Sequence, residues 1–585
     1  MRIASRPSFF ARSSLAMSRS ALGISAITFV SVAAFAWGRF GGIRVDCGAS
    51  VYQAAALAEG ALLYRDVRCP YGPVGPYALA AAFRLFGIHL AVAYTTGLGL
   101  LVAQSCLVWW VGRRFLSQAE SLVALLGFWV LLALQPEIFN WALPNVFASP
   151  VGTFFATATL ACLLADGERP RRRLLALASL SLALATLSKI EHGVAAGITV
   201  LCHVLVLRPR LAAHAARLRN LVLALLPGGL LVAGVAAVFL SVVPWDVLVF
   251  DNLYRQRSFG PATHKLQELM FPSLVAIYAP PLFYYLLELP ARVAILEWLR
   301  RRLPAWRTLG WVAGGLVALL VLLAPLAPGY PLNLDLVRNG REQYQFAWTP
   351  MVWATLGLWR LSAVRQGYDP LALVATFSVA ECLRWGLRAA WPPFYAVFAP
   401  HLAILIVREI SRRLVAPASP WPLLLVMSAW VASSGAIHAR EYARKTVWLD
   451  YPRGSIASYP RDATAMRTVI DFLRRQTRPG EYVAVLPEEQ FINFFAETRQ
   501  PTRDLGIGPY WLATEDDVSQ FLDELEAKSP RYVVVSDRRY EEFQAGTVQE
   551  NYPRIAAYLA ERYRPFFRAD MFHVLQRARP ATPSP

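Results

Sequence analysis

Apolar runs long enough to cross a bilayer recur through the first 437 residues, separated by short stretches rich in arginine or in acids and turn residues. A crossing needs roughly 20 apolar residues, and about 17 at the least. The pattern predicts spans near 21–40, 90–112, 120–134, 149–166, 174–188, 193–207, 220–243, 271–290, 309–327, 346–363, 370–386, 394–408 and 420–437, or about 13 transmembrane helices. From about residue 438 the period changes. Residues 461–476, 514–528 and 552–562 read as helices, whereas Tyr482-Val483-Ala484-Val485-Leu486, Tyr532-Val533-Val534-Val535-Ser536 and Phe572-His573-Val574-Leu575 read as strands. Apolar β-branched runs alternating with helices predict a small α/β domain over 438–578. The Pro-rich end, 579–585, reads as a disordered tail. The expected fold class is thus a polytopic α-helical membrane protein, residues 1–437, with a C-terminal periplasmic α/β domain. No internal repeat is visible.

Composition agrees with lipid as the main solvent. Of 585 residues 56% are hydrophobic and 17% charged, with a mean hydropathy of +0.39, against roughly 25% charged in a soluble protein. The run from Ala21 to about Gly41 follows Arg2, Arg6, Arg12 and Arg19 and reads as the first transmembrane helix. The rival reading is a cleaved signal peptide with Ala34-Phe35-Ala36 as its small-residue site. Either way the next loop lies on the same side.

A net charge of +19 invites thought of nucleic acid, but its distribution speaks against it. The basic residues gather in short connections such as 169–173, 300–302 and 408–413, which is the positive-inside signal. With the N-terminus inside, about 24 Lys and Arg of the tail and short loops fall on the cytoplasmic face and about 12 on the other. That orientation places the first loop, about 41–89, and everything past about His438 in the periplasm of a bacterial inner membrane.

Carboxylates beside membrane spans are costly and therefore functional candidates. They cluster on the predicted outer face: Asp46, Glu59 and Asp66 in the first loop, Glu137 with Asn140 and Asn145 in the second, and Lys189, Glu191 and His192 in "SKIEHG". The fourth loop supplies Asp246, Asp251, Arg255, Arg257, His264 and Lys265, and later come Arg338, Arg341, Glu381, Arg384 and Arg388. Acids and cations on one face suit transfer from a lipid-phosphate donor. An attacking hydroxyl must lose a proton to a base, and a departing phosphate needs cationic stabilisation. Asp46, where the first helix exits, is the natural base. Asp66, Glu137 and Glu191 are candidate assistants, and Arg255, Arg257, Lys189 and His264 candidate phosphate ligands.

Blander readings stand beside these. Asp46 is also good N-cap chemistry for "SVYQAAALAEG", and Asp66 a turn residue before Pro70. Glu137 and Glu191 are also able to pair with neighbouring cations, and Arg255 and Arg257 to be solvated loop residues. Four of the six cysteines fall in helices as small apolar residues. Cys47 and Cys69 share the first loop, and a disulfide between them would clasp the Asp46 and Asp66 ends. There is no P-loop and no GxGxxG.

The order of features resembles a known family. A basic N-terminus and one helix precede Asp46 and then "YQAAALAEGALLYRDV…PYGPVGPYALAAAFRLFG", with Gly60, Tyr64, Asp66 and Gly72-Pro73 in the matching places. This is similar to the first outer loop of the GT-C glycosyltransferases, in the bacterial group related to protein O-mannosyltransferases and lipid A aminoarabinose transferases. "FYAVFAPHLAIL" (394–405) is loosely similar to the family's late helix, with Tyr395 and Pro400 at its Tyr and Pro. The resemblance implies a polyprenyl-phosphate sugar donor, inversion at the anomeric centre, a periplasmic lipid, glycan or protein acceptor, and Asp46 as the catalytic acid residue. The sharp match is confined to about residues 44–87. Asp46-Cys47-Gly48 stands where an Asp-Glu pair would suggest a metal, so dependence on a divalent cation (Mg or Mn) stays open. Two other classes remain in play: a transporter or lipid flippase, which calls for mid-membrane charge and pseudo-symmetric halves, and a non-catalytic envelope assembly protein.

Overall fold

The structure, a computed structural model, describes residues 17–44, 46–207, 214–249, 370–388, 394, 396–402, 404–405, 408, 421–508, 512, 514–539 and 546–578. The predicted spans at 271–290, 309–327 and 346–363, and with them Arg255, Arg257 and His264, lie outside the described residues, as does Tyr395.

The membrane part begins with α1 (Arg19–Ala36), α2 (Cys47–Ala58), α3 (Val74–Phe86), α4 (Leu90–Gly112) and α5 (Gln118–Gly127), which runs on as a π-helical turn, Phe128–Ala133. It continues with α6 (Ala148–Glu168), α7 (Arg172–Ser188), α8 (Ile190–Leu201) with a π-helical extension to Leu207, α9 (His214–Leu240), α10 (Trp245–Val249), α11 (Pro370–Arg388) and α12 (Trp421–Arg444). Among the described residues five helices are long and apolar enough to cross a membrane: Arg19–Ala36, Leu90–Gly112, Ala148–Glu168, Ile190–Leu207 and Leu218–Leu240. Their outward apolar side chains, such as Leu22, Ile27 and Val30 on α1 and Leu230 and Val238 on α9, are more than half exposed. In water such surface would be unfavourable, and in lipid it is not.

Beyond α12 come the hairpin β1 (Val447–Tyr451) and β2 (Gly454–Ser458), α13 (Pro460–Gln476), β3 (Val483–Leu486), α14 (Phe491–Ala496), α15 (Glu515–Lys528), β4 (Tyr532–Ser536), α16 (Val548–Asn551), α17 (Pro553–Arg562), β5 (Tyr563–Ala569) and β6 (Phe572–Arg577). The sheet order is β3-β4-β6-β5, with β3 and β4 parallel and the other pairs antiparallel. Strand alternation divides the core. Val483, Val485, Tyr532 and Val534 face the core shared with the membrane part, while Ala484, Leu486, Val533 and Val535 pack on Val518, Phe521 and Leu525 of α15 and Ile555 and Leu559 of α17.

Helix ends sort onto two faces. On the face that carries the C-terminal domain, Gly38 past α1 accepts from Ala457 N (2.7 Å), Leu90 N at the start of α4 donates to Arg453 O (2.9 Å), and Tyr442 Oη donates to Leu134 O (3.1 Å). On the opposite face Gln118 bonds Ser18, Arg408 pairs with Glu120 at 3.2 Å, and Arg171 N donates to Asp166 (2.9 Å).

The first loop lies between the domain and the helix ends, at backbone contact. A Cβ at Gly48 would stand 2.7 Å from Phe491 N of α14, and one at Gly72 would stand 2.0 Å from the Leu187 carbonyl oxygen at the end of α7. Arg68 reaches across to Asp504 of the domain at 2.7 Å, with 6% and 4% of the two side chains exposed. Surface pairs contribute about 0–1 kcal/mol, whereas removing one partner of a buried pair costs about 3–5 kcal/mol. This pair therefore ties loop to domain in a way that the exposed ones do not.

Gly72→Ala should lower the stability of the purified full chain by about 1–3 kcal/mol through overpacking, read as a lower Tm. Gly99→Ala, where an added Cβ meets nothing within 4 Å, should leave Tm level or raise it slightly.

Candidate active site on the domain face

Asp46 stands between the exit of α1 and the first residue of α2. Its backbone, at φ +27° and ψ −51°, lies outside the regions L-residues ordinarily occupy, and its side chain makes no capping hydrogen bond to α2. The N-cap reading thus lacks the bond it requires. A backbone outlier at a candidate catalytic residue is where strain is commonly held.

Two neighbours fix that position. Cys47 is fully buried; its Sγ donates to Leu143 O at 3.4 Å, and burial pushes the thiol up to about 12. Lys445, just past α12, donates to the carbonyls of Arg39 (3.0 Å), Gly41 (2.7 Å) and Pro136 (2.5 Å). It joins the α1 exit to the second loop. Burial lowers its ammonium pKa, opposed by the charge of Glu137. Glu137 accepts from Tyr459 Oη at 3.1 Å, so the structure brings this candidate to the domain junction.

The clasp expected between Cys47 and Cys69 is not formed; both side chains are buried. Cys69 Sγ faces Gln53 Oε1 at 3.8 Å. Gln53 lies six residues along α2 from Cys47, about 9 Å of helical rise, too far for a bridge whose Cα atoms need about 4.4–6.8 Å. Asp66 serves the turn. It accepts from Leu62 N at 2.8 Å and pairs with Arg65 at 2.9 Å, and these hydrogen bonds hold its carboxyl below the usual range. With its side chain 38% exposed, it shapes the loop around Tyr64, a non-glycine residue at φ +71°.

Toward the membrane the loop meets a buried lysine. Lys189, 7% exposed, donates from Nζ to Ser149 Oγ at 2.9 Å and lies 5.0 Å from the centre of the Tyr71 ring. It stands at the N-cap of α8, and Ser149 sits in the first turn of α6. Gly75, in the first turn of α3, lies against Ala148 at the head of α6. Three helix N-termini therefore converge where the lysine ends, and each carries partial positive charge. Glu191 occupies the first turn of α8, half-buried. The next residue, His192, has its Nδ1 2.7 Å from Glu381 Oε2 and its Nε2 3.3 Å from Thr153 Oγ1. A chain of contacts links the head of α6 to the backbone of Asp46: Ser50 N bonds Asp46 O, Ser50 Oγ accepts from Phe147 N at 3.4 Å, and Phe147 is the N-cap residue of α6.

Sequence reasoning missed the groups that arrive from the C-terminal domain. Glu488 and Glu489 follow β3, and Ser536 and Arg538 close β4. Arg538 Nη1 donates to Glu488 Oε2 (3.0 Å) and to Arg44 O (3.3 Å), and Ser536 Oγ donates to Glu489 Oε1 (2.9 Å). The available signal was "LPEEQ" behind a buried strand, because open α/β sheets place ligands at the carboxyl ends of parallel strands. Among the described residues no three His, Cys, Asp or Glu are placed to hold a metal ion.

No family model and no curated protein matches the chain. Among solved structures it is similar to ArnT from Cupriavidus metallidurans bound to undecaprenyl phosphate, at 15% identity and a TM-score of 0.43 over 94% of this chain and 97% of that one. It is also similar to the archaeal oligosaccharyltransferase AglB from Archaeoglobus fulgidus in complex with an inhibitory peptide and a dolichol-phosphate, at 13% identity and a TM-score of 0.47 over 90% and 70%. A third is the Archaeoglobus fulgidus oligosaccharyltransferase tethered to an acceptor peptide with the NVT sequon, at 12% and 0.48 over 98% and 75%. At these values the likeness does not carry a function to this chain.

Alkylation of the denatured, unreduced full chain should modify both Cys47 and Cys69, and mass spectrometry should find no linked peptide. A 47–69 linked peptide would contradict the geometry.

Proposed function

We propose that this chain is a membrane glycosyltransferase that takes a sugar from a polyprenyl-phosphate donor and delivers it to a lipid, glycan or protein hydroxyl. The domain face would then be the periplasmic face of a bacterial inner membrane. The observation that carries this reading is the buried Lys189 at three converging helix N-termini, linked through Phe147 and Ser50 to Asp46, whose side chain does not cap α2. The resemblance of residues 44–87 to the GT-C first loop supports it independently.

In the proposed step the acceptor oxygen attacks the anomeric carbon as Asp46 takes the hydroxyl proton. The new C–O bond forms while the bond from that carbon to the phosphate oxygen breaks, and the electron pair leaves with the polyprenyl phosphate. A single displacement of this kind inverts the anomeric centre. Lys189, with Ser149 and the helix N-termini beside it, would hold the phosphate as its negative charge grows. Arg255, Arg257 and His264 are proposed as further phosphate ligands. Glu191, in the first turn of the helix that Lys189 begins, is the assisting acid, while Asp66 and Glu137 shape the loop and the domain junction.

Envelope glycans compared by mass spectrometry, in cells lacking the protein and carrying either form, test this reading. Asp46→Asn, with membrane insertion confirmed, should cut transfer by about 10²–10⁴-fold, and Lys189→Met by about 10²–10³-fold. Full transfer by Asp46→Asn would sink the mechanism.

A further inference from the structure

We infer that the C-terminal domain completes this site: Glu488, clamped by Arg538 beside Asp46, is a positioning carboxyl that admits an anionic donor only while it carries a proton. The inference rests on the proposed phosphate-linked donor. Its geometric basis is the parallel pair of strands, whose carboxyl ends both point at the α1 exit. Glu488 follows β3 and Arg538 follows β4, and Arg538 binds both Glu488 and the Arg44 carbonyl, two residues before Asp46. Both partners of the clamp are only 13% exposed.

The groups that act on Glu488 come from four elements. Arg538 favours its charged form, whereas Asp46 ahead of α2 and the adjacent Glu489 oppose it; Tyr552, ahead of α17, feels its charge as well. Burial outweighs the arginine, and the carboxyl is pushed up to about 7. A neutral Glu488 leaves Asp46 as the nearer negative charge. An ionised one adds a further negative charge against an incoming phosphate, and the repulsion weakens binding.

Two measurements on the purified full chain decide this. The first is Tm against pH for wild type and Glu488→Gln. A carboxyl raised in the folded state stabilises most below its ordinary value of 4.5, and that contribution is lost as pH climbs to about 7. Wild type should therefore fall progressively below Glu488→Gln between those values and run parallel to it above them. Parallel curves throughout would overturn the proton-bearing role.

The second is the affinity for undecaprenyl phosphate in detergent, taken as the ratio of wild-type to Glu488→Gln Kd at each pH. The ratio cancels the lipid's own titration. It should stay near 1 at pH 5.5 and rise to about fivefold or more by pH 8.5, with Glu488→Asp behaving like wild type. Binding with a flat ratio overturns the gate and leaves the donor reading standing. If neither protein binds the lipid, the donor reading fails and the gate fails with it.

Discussion

Backbone contact between the first loop and its surroundings is the constraint on which the rest depends. At Gly48 the loop touches α14 of the C-terminal domain, and at Gly72 it touches the end of α7. Neither approach leaves room for a side chain, so loop, helix ends and domain are held at backbone contact. Inside that frame the buried Arg68–Asp504 pair matters more than its many exposed counterparts. Its charges have left water, and separating them would strand one of them. Lys445 works in the same sense at the α1 exit, spending its three protons on three carbonyls from two segments. Asp46 inherits its position from these contacts rather than from the helix that follows it.

The frame holds two neighbourhoods of opposite character. On the domain side Asp46, Glu488 and Glu489 gather, with Arg538 the compensating cation. On the membrane side Lys189 and three helix N-termini present positive charge, and Glu381 lies 2.7 Å from His192 Nδ1.

Much of the helical plan was legible along the chain, because lipid imposes long apolar runs whose ends are marked by charge. The runs at 90–112, 149–166 and 174–188 correspond to α4, α6 and α7 within a few residues. The period-2 runs at Tyr482–Leu486 and Tyr532–Ser536 correspond to β3 and β4. The β1–β2 hairpin escaped notice because Asp450, Ser455 and Gly454 interrupt any apolar alternation. Strand β5 escaped because exposed arginines and Pro565 dilute it. Among site residues, Asp46 and Lys189 were visible as polar groups beside spans. Glu488 and Arg538 were not, since Arg44 and Asp46, which they meet at the α1 exit, lie more than 400 residues away in the chain, and no local spacing encodes that meeting. The Cys47–Cys69 expectation failed for a related reason: nearness in sequence ignored that α2 runs straight between them.

The central claim is that a polyprenyl phosphate seats its head between Asp46 and Lys189, on the face that carries the C-terminal domain. The most direct measurement is photo-crosslinking of the full chain in nanodiscs with an undecaprenyl phosphate analogue bearing a diazirine near the phosphate, followed by peptide mapping. The account predicts adducts in peptides spanning residues 44–77, 147–153 and 188–192, suppressed by excess unlabelled lipid. Adducts confined to the opposite face, around residues 113–120 or 166–173, would contradict it.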